Sequence, residues 1–346
     1  EGGCVKLWSI KRDGTITDMV QTYGAQYGID YISADKSEFP LLEPAIYYER
    51  GDFVYAKGDN DYDLPFFGVV DSYENKVIMA QDLLALLDFD FPATKFSGDS
   101  FEQHMANLIK KYVIDDASKN LSILHVTVGS NTKHTYQPAE TPTATNLMKY
   151  MINGFKKYNV VWRFDRFENG KIYTVIEAEK NSMQIKDNLK FLQDWDVSTT
   201  EVGNGVANKL LIVNKTMKNS ESPAILDTWY LTQENEVVHS LSDEVIRPTV
   251  NKVWVYDTTE EDKPTYEEVA NSELKGNYYS HEISFVSPLE NRIFDASELK
   301  IGLLSTIIYE GKSYKSVMSG YQVIENTGKI EVRFGNIRSR LSELLE

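Results

Sequence analysis

Apolar and polar positions alternate in short runs through the first part of the chain. Runs such as VKLWSI, AIYYER and DFVYAK occur within residues 1–94 and are separated by Asp, Gly and Asn. Alternation with a period of two predicts half-buried β-strands, and the separating residues favour turns. The 21 tyrosines and 15 phenylalanines agree with this interpretation, because aromatic side chains suit a pleated, half-buried surface.

One strand-and-helix pattern occurs near the start of the chain and again near its end. The early copy, residues 51–89, contains DFVYAK, FFGVVDSYENKVIMA and QDLLALLDF; the late copy, residues 301–345, contains LLSTIIYE, YKSVMSGYQVIENTGKIEVRF and GNIRSRLSELL. In each copy an antiparallel strand cluster is predicted to lead into a short amphipathic helix, which Asn336 would cap in the late copy. The repeat predicts two similar barrel-like β units that bracket the rest of the chain.

Helical spacing appears in the middle of the chain. Ser100 and Gln103 match a capping box, and the side chains that follow share one helical face: Phe101, Met105, Leu108, Ile109 and Tyr112. A second helix is predicted after the Pro- and Thr-rich residues 137–145, with an apolar stripe formed by Leu147, Met148, Met151, Ile152 and Phe155. Both stripes are interpreted as core-facing.

A β-hairpin is predicted directly after the second helix. The runs VVWRFDRF and IYTVIEAE are joined by a turn that contains Asn169 and Gly170. Asn-Gly supplies the two positive φ angles that a two-residue type I′ turn needs. Residues 95–200 are therefore predicted to form an α+β unit with two helices on a small sheet.

Strand patterns return from residue 203 with NKLLIVNK, and a polar region then extends to about residue 280. It contains WYLT, a strand VNKVWVYD and a helix TYEEVANSEL that is predicted to stop at Gly276. We interpret residues 226–280 as an insertion into the second barrel. The predicted fold class is therefore mixed α+β and β-rich.

Charge, cysteine content and hydropathy limit the function. The 52 acidic and 36 basic residues give a formal net charge of -16, which argues against attraction to a DNA backbone; a solvated surface and an acidic wall past which DNA slides both remain open. Cys4 is the only cysteine, so neither an internal disulfide nor a thiolate-rich metal site is expected. The longest nearly apolar runs, such as residues 302–309, are far shorter than a membrane span, and we expect no membrane insertion.

Residues that could carry chemistry are scattered. Gly203, Asn204 and Gly205 are interpreted as a turn, since the other features of a phosphate-binding loop are missing. Asp59, Asp61 and Asp63 alternate as in a calcium loop but lack its glycine and distal glutamate, and a solvated hairpin tip is the favoured interpretation. No GxxxxGK[ST], HExxH or GxSxG motif occurs.

Histidines and tryptophans give no functional constellation either. The histidines lack the spacing of a helical metal site, although His125 and His134 could meet across a strand pair; the set is His104, His125, His134, His239 and His281. The tryptophans are interpreted as core residues and not as exposed sugar-binding rings; they are Trp8, Trp162, Trp195, Trp229 and Trp254. We expect no catalytic, cofactor-binding or metal-binding residue.

Four segments distributed over most of the chain carry a family resemblance through their order. They are FFGVVDSYENKVIMAQDLLALL, TNLMKYMINGFKKYNVVWRFDRFENGKIYTVIEAE, GVANKLLIVNK and KIEVRFGNIRSRLSELL. This layout resembles the hub or tail-tip family of phage baseplates, which also occurs in tailocins and, fused, in type VI secretion spikes. The resemblance implies two pseudo-symmetric β-barrel domains, residues 1–94 and 201–346, and two smaller α+β peripheral domains, residues 95–200 and about 226–280.

The resemblance also implies a function. Proteins of this family form a trimeric ring that closes the tail tube, in which six barrels match a hexameric ring above. We therefore expect a structural virion component of the tail baseplate, made in the host cytoplasm, that forms a homotrimer and is not an enzyme. Its expected partners are a distal tail or tail tube protein hexamer and a tip, fibre or spike protein, and DNA would pass without specific binding.

In many long-tailed phages of Gram-positive hosts the same fold is followed by a C-terminal fibre, peptidase or lysin extension. The sequence ends at Glu346, directly after the predicted final helix, so no lytic activity is expected of these residues.

Two other classes stay open. A cell-wall-directed hydrolase or carbohydrate-binding module is suggested by the aromatic and acidic content. A secreted adhesin or surface lipoprotein is suggested by Gly2, Gly3 and Cys4, and would need a preceding signal segment. Oligomeric state separates a hub from a hydrolase, because a hub requires a trimer of 39.5 kDa subunits and a hydrolase is usually active as a monomer.

Overall fold

The structure of the chain is a computed structural model that describes residues 5–33, 35–44, 48–59, 64–92, 94–135, 144–198, 206–215, 222–259, 263–290 and 298–337. The chain divides into two compact units. Unit 1 comprises Glu1–Phe155, Asn159–Asp196 and Ile283–Phe334, and unit 2 comprises Lys156–Tyr158, Val197–Glu282 and Gly335–Glu346. Strands predominate over helices in the described part, which confirms the β-rich class. The finer division at residues 94 and 200 stays a prediction.

Strands follow one another closely at the start of the chain, as the alternating pattern predicted. They are β1 (Lys6–Ile10), β2 (Ile16–Gln21), β3 (Gln26–Asp30), β4 (Ser37–Pro40), β5 (Phe53–Lys57), β6 (Phe66–Glu74), β7 (Val77–Asp82) and β8 (Asp90–Pro92). Their inward side chains form an aromatic core, in which the rings of Tyr27, Phe39 and Phe66 lie 5.5–6.1 Å apart. Such ring contacts add to the stabilisation that burial alone gives.

The remaining strands of the chain are also short. They are β9 (Leu124–Val128), β10 (Ala144–Asn146), β11 (Val160–Glu168), β12 (Lys171–Ala178), β13 (Ser182–Lys186), β14 (Gln193–Ser198), β15 (Lys209–Asn214), β16 (Ile225–Leu231), β17 (Val237–Val238), β18 (Asn251–Tyr256), β19 (Glu282–Pro288), β20 (Leu304–Tyr309), β21 (Lys312–Ile324) and β22 (Lys329–Gly335).

Thirteen of the described strands form one sheet. Its order is β14-β19-β22-β21-β3-β4-β7-β6-β5-β1-β2, with β20 also paired to β21 and β13 to β20. The antiparallel pairing of β3 with β21, from Gly320↔Asp30 to Ile324↔Gln26, joins the first and last regions of the chain. The two regions were expected to form separate barrels; they pair instead in one continuous sheet, and the described strands form no closed barrel.

Glycine explains why these two strands can pair so closely. A Cβ atom added at Gly28 of β3 would lie 1.9 Å from the carbonyl oxygen of Tyr321 on β21. A side chain at this position would therefore collide with the partner backbone. A glycine inside a strand often marks such a close approach, but the sequence does not say which strand approaches.

Three α-helices lie in the described part of the chain. They are α1 (Phe101–Ile109), which continues as a π-helical turn over Lys110–Ile114, α2 (Leu147–Tyr158) and α3 (Tyr266–Leu274). The two central helices were predicted, and Phe101, Met105, Leu108 and Ile109 are buried as expected. The predicted capping box forms only in part: the Gln103 N–H donates to Ser100 Oγ, while the Gln103 side chain donates to Asn107.

The helix predicted at the end of the early repeat copy differs from expectation. Leu83–Leu87 forms a 3₁₀ helix that Asp82 caps, and four of its five residues are buried leucines, so it is not an amphipathic surface helix. Other short 3₁₀ helices are Ala117–Lys119, Lys275–Tyr279 and Glu325–Thr327. The final helix of the late copy lies outside the described residues, which end at Ile337; Asn336 itself has a φ of 59°.

The predicted hairpin is confirmed. Glu168 pairs with Lys171, and Asn169 and Gly170 have φ angles of 52° and 72°, as a type I′ turn requires. Strand β9 joins the hairpin in parallel alongside β12. Helix α1 packs on β9 and β12, so helices and a small sheet do associate in this region.

Unit 2 contains a four-stranded sheet in the order β17-β16-β15-β18, on one face of which α3 packs. The buried contacts between them come from Leu210, Trp229 and Tyr256 on the sheet and Val269 and Leu274 on the helix. Gly276 was predicted to stop α3, but it lies inside the 3₁₀ helix that follows Leu274. A Cβ atom there would lie 2.3 Å from the carbonyl oxygen of Lys156, so glycine allows close packing at this position.

Candidate assembly surfaces

Strand β2 lies at one end of the main sheet. It pairs with β1, from Lys6↔Gln21 to Ile10↔Ile16, and with no other strand of the described residues. The unpaired backbone groups of an edge strand can bind a strand of another chain. This edge is therefore a place where a second protein can extend the sheet.

Large apolar side chains are exposed on and beside β2. The exposed fractions are 55% for Ile16, 55% for Met19, 67% for Tyr23 and 52% for Leu42. The last two lie at the end of the strand, where the Leu42 N–H donates to the Gln21 carbonyl oxygen at 3.3 Å. We call these four residues the β2 surface. Exposed apolar side chains grouped in this way are typical of protein-binding surfaces.

A row of side chains across the sheet supports the β2 surface. Met19, Trp8, Tyr55 and Phe67 are cross-strand neighbours on β2, β1, β5 and β6. The Trp8 and Tyr55 rings lie 5.5 Å apart, and Phe67 stacks on Phe164 of the hairpin at 4.9 Å. Burial raises the pKa of the Tyr55 phenol, which stays neutral. Ring contacts therefore hold Trp8, Tyr55 and Phe67 in place beside the exposed Met19.

Unit 2 has a comparable strand edge. Strand β18 pairs in parallel with β15 and with no other described strand, and its Trp254 and Tyr256 face the side that packs on α3. On the opposite side Val253 and Val255 are 55% and 61% exposed. We call these two valines the β18 surface.

The histidines do not form a site. Among the described residues no three His, Cys, Asp or Glu side chains are grouped so that they could hold a metal ion. His125 stacks on Tyr173 at 5.1 Å, and His239 stacks on Trp229 at 4.7 Å. Burial lowers the pKa of His104 to about 4, so this side chain is neutral at pH 7.

The other sequence candidates are only partly described. Asp59 pairs with Lys6 at 2.7 Å, whereas Asp61, Asp63 and the Gly203–Gly205 turn lie outside the described residues. Trp162 and Trp229 are buried, and the other three tryptophans are partly buried, so none offers the fully exposed ring of a sugar-binding platform. No helix in the described ranges has the length and apolar character needed to cross a membrane.

Solved structures share the fold of the whole chain. A tail protein from Neisseria meningitidis MC58 is 12% identical, and the match covers 97% of each chain with a TM-score of 0.56. The 43 kDa tail protein of prophage MuSo2 from Shewanella oneidensis is 14% identical over 96% of this chain and 98% of that one, with a TM-score of 0.53. A chain of the phage P2 baseplate in its activated conformation is 12% identical over 96% and 99%, with a TM-score of 0.53.

No protein-family model matches the chain, and no curated protein sequence matches it. The similarity is therefore one of fold. The chain has the fold of phage baseplate and tail proteins, which confirms the resemblance inferred from the order of its sequence segments.

The β2 surface was not recognised from the sequence. The run ITDMVQ reads as an ordinary half-buried strand, and periodicity does not distinguish an edge strand from a central one. The only signal was the pair of apolar residues Ile16 and Met19, which are three positions apart and so do not fit a single buried face of a regular strand.

Proposed function

We propose that the chain is a structural protein of a phage tail or phage-like particle, located in the baseplate as its hub or tail tip. The observation that carries this proposal is the agreement of fold with tail and baseplate proteins over 96–97% of the chain and nearly all of theirs. This agreement with structural tail proteins supports a structural role for the chain. The proposed role is not enzymatic.

The proposed assembly is a homotrimeric ring. Each subunit would present two strand modules, which correspond to the N-terminal and C-terminal halves of its main sheet. Three subunits would then offer six modules to a hexameric distal tail or tail tube protein. The exposed edge of β2 and the apolar β2 surface support this proposal, because ring closure would pair an edge that otherwise invites aggregation.

The proposed neighbours in the virion follow from this position. A hexameric tail ring would lie on one side of the hub and a tip, fibre or spike protein on the other. The net charge of -16 supports a channel through which DNA passes without specific binding.

The test is the mass and symmetry of the purified chain, alone and mixed with the distal tail or tube protein from the same particle. We expect light scattering to give a trimer of the 39.5 kDa chain in at least one of the two samples, and negative-stain images to show three-fold rings on hexamers. A chain that stays monomeric in both samples and joins no ring contradicts the hub role. Lysis of peptidoglycan by the purified chain would contradict the structural role.

A further inference from the structure

Unit 1 contains a cavity of about 500 Å³ that the tail-assembly role does not use. Its apolar walls include Phe67, Phe164, Trp162 and Leu83. Phe67 and Phe164 stack on each other and form a flat aromatic wall. The volume lies in the range of small-molecule sites, and a mostly apolar lining with a few polar groups is typical of them.

Two buried polar groups line this cavity without a complete set of partners. Asp82 is 7% exposed, and its Oδ1 accepts the Leu84 N–H at 2.6 Å, but its Oδ2 accepts no hydrogen bond from the described residues. Tyr321 is 8% exposed, and its hydroxyl has no hydrogen-bond partner in the described part of the chain. Both side chains line the cavity, so Asp82 Oδ2 and the Tyr321 hydroxyl can each bond a polar group that enters it.

Among the described residues, no lysine or arginine forms an ion pair with Asp82. Two cations line the same cavity: Arg163, which pairs with Glu177 and Glu179, and Lys300, whose side chain is exposed and forms no ion pair with Asp82. Arg333 pairs with Asp30. Burial, more than the neighbouring Asp30, raises the pKa of Asp82 to about 7, which reflects the lack of a positive partner. An isolated carboxylate in an apolar cavity is expensive to ionise unless a cation joins it.

We propose that this cavity binds a primary ammonium group carried on an apolar body, with the ammonium donating to Asp82 Oδ2 and to the Tyr321 hydroxyl oxygen. The apolar body would lie against the wall formed by Phe67 and Phe164. The aromatic rings add to the attraction, since their faces favour a nearby cation. A free alkylamine and a lysine side chain of another tail protein share this chemistry, and the binding test distinguishes them.

The test measures the binding of n-hexylamine to the full chain by calorimetry at pH 7, with n-hexanol and hexanoate as uncharged and anionic probes of the same length. We expect the amine to bind with a dissociation constant below about 1 mM and the alcohol at least roughly ten-fold more weakly. Equal binding of amine and alcohol, tighter binding of hexanoate, or no binding of the amine would each overturn the proposal.

Variants identify the site. Asp82→Asn keeps an oxygen that can cap Leu84 but removes the charge, and we expect it to weaken amine binding about ten-fold while n-hexanol binding is unchanged. Tyr321→Phe should weaken the amine by about three-fold. The control is Asp165→Asn, because Asp165 also lines the cavity but is exposed and paired with Arg166. An amine affinity that is unchanged in Asp82→Asn, or reduced equally in Asp165→Asn, contradicts the assignment.

The last comparison separates the two sources of the ammonium. Nα-acetyl-lysine amide carries the same ammonium and aliphatic chain but also the backbone of a peptide. If it binds as tightly as n-hexylamine, the site accepts a lysine side chain of a partner protein; if only n-hexylamine binds, the ligand is a free amine. Neither result depends on whether the chain forms a ring, so the site and the hub role can fail independently.

Discussion

Glu325 accepts the backbone N–H of Ala25 at 2.7 Å, although the two residues are 300 positions apart in the chain. The same carboxylate accepts the backbone N–H of Val5 at 3.0 Å and the hydroxyl of Thr22 at 3.0 Å. Because Glu325 is buried, these hydrogen bonds are poorly replaced by water. One side chain thus anchors the N-terminal strands to the end of β21.

Replacement of Glu325 by alanine should weaken this junction. Two buried backbone N–H groups would lose their acceptor, and we expect the free energy of unfolding of unit 1 to fall by about 3 kcal/mol. Glu325→Gln should lose less, since its amide oxygen still accepts one N–H. Hydrogen exchange should rise in peptides of β3 and β21 and stay unchanged in α3. The exposed Glu74→Ala is the control, and an equal loss in both variants would show that the anchor has no special role.

Local elements of this fold could be predicted from the sequence, whereas the β3–β21 junction could not. The α1 and α2 stripes and the Asn169-Gly170 turn follow from neighbouring residues, so periodicity and turn chemistry suffice to predict them. The pairing of β3 with β21 joins residues about 290 positions apart. Gly28, which indicates a close approach of another strand, was the only residue in the sequence that pointed to this pairing.

The cavity site around Asp82 could not be predicted from the sequence for a similar reason. Asp82 precedes a leucine-rich segment, and this pattern indicates only a helix cap. The structure confirms the cap but also shows the cavity beside it. Its isolation from cations depends on where Arg163 and Arg333 find their partners, and those pairs form only in the fold. The exposure of Met19 likewise depends on β2 being last in the sheet, which no local pattern states.

In unit 2, Glu273 is the shared partner of two lysines, Lys157 at 2.6 Å and Lys252 at 2.5 Å. Burial alone would raise the pKa of Glu273, but the two ammonium groups outweigh it and lower the pKa to about 2. The carboxylate is thus more acidic in the folded unit than in the unfolded chain. Its contribution to stability is present above about pH 4.5 and should be lost as the pH falls towards 2.

Removal of this charge tests the same interaction at neutral pH. Glu273→Gln leaves two nearly buried ammonium groups without a counter-charge, and we expect unit 2 to lose about 3 kcal/mol of unfolding free energy at pH 7. The difference between the variant and the unmodified chain should shrink as the pH approaches 2. Urea unfolding at several pH values measures it. A difference that stays constant between pH 7 and pH 2 would contradict the assigned pKa.

Asp82 predicts the opposite pH dependence in unit 1. Its pKa of about 7 lies above the ordinary value of 3.8, because burial disfavours the carboxylate. The folded unit therefore holds a proton that the unfolded chain releases, and stability should decline as the pH rises from about 4 to 7. Asp82→Asn should be more stable than the unmodified chain by about 2–4 kcal/mol at pH 8 and nearly equal to it at pH 4. A variant that is less stable at pH 8 would show that the carboxylate has a cation partner after all.

Gly14 is required by its surroundings as well as by its backbone. It has a φ of 88°, and a Cβ atom there would lie 2.1 Å from the carbonyl oxygen of Gly170 at the hairpin tip. Gly311 has a φ of 75° with open space around it, which makes it a matched control. Gly311→Ala should cost about 1 kcal/mol for the backbone conformation alone, and Gly14→Ala about 2 kcal/mol more because the two turns must separate. Equal losses in thermal unfolding would mean that the turns move apart freely.

Met19 offers the sharpest test of the proposed ring. Its side chain is 55% exposed at the edge of the main sheet, so Met19→Lys should change the unfolding free energy by less than about 0.5 kcal/mol. A buried, unpaired lysine in a ring contact would be costly, and we expect the variant to remain a folded monomer that no longer caps tail tubes. Leu241→Lys is the control, since Leu241 is 58% exposed in unit 2 and lies outside both named surfaces. If Met19→Lys forms rings as well as the unmodified chain does, the β2 surface is not the ring contact. If Leu241→Lys alone prevents them, the contact lies in unit 2.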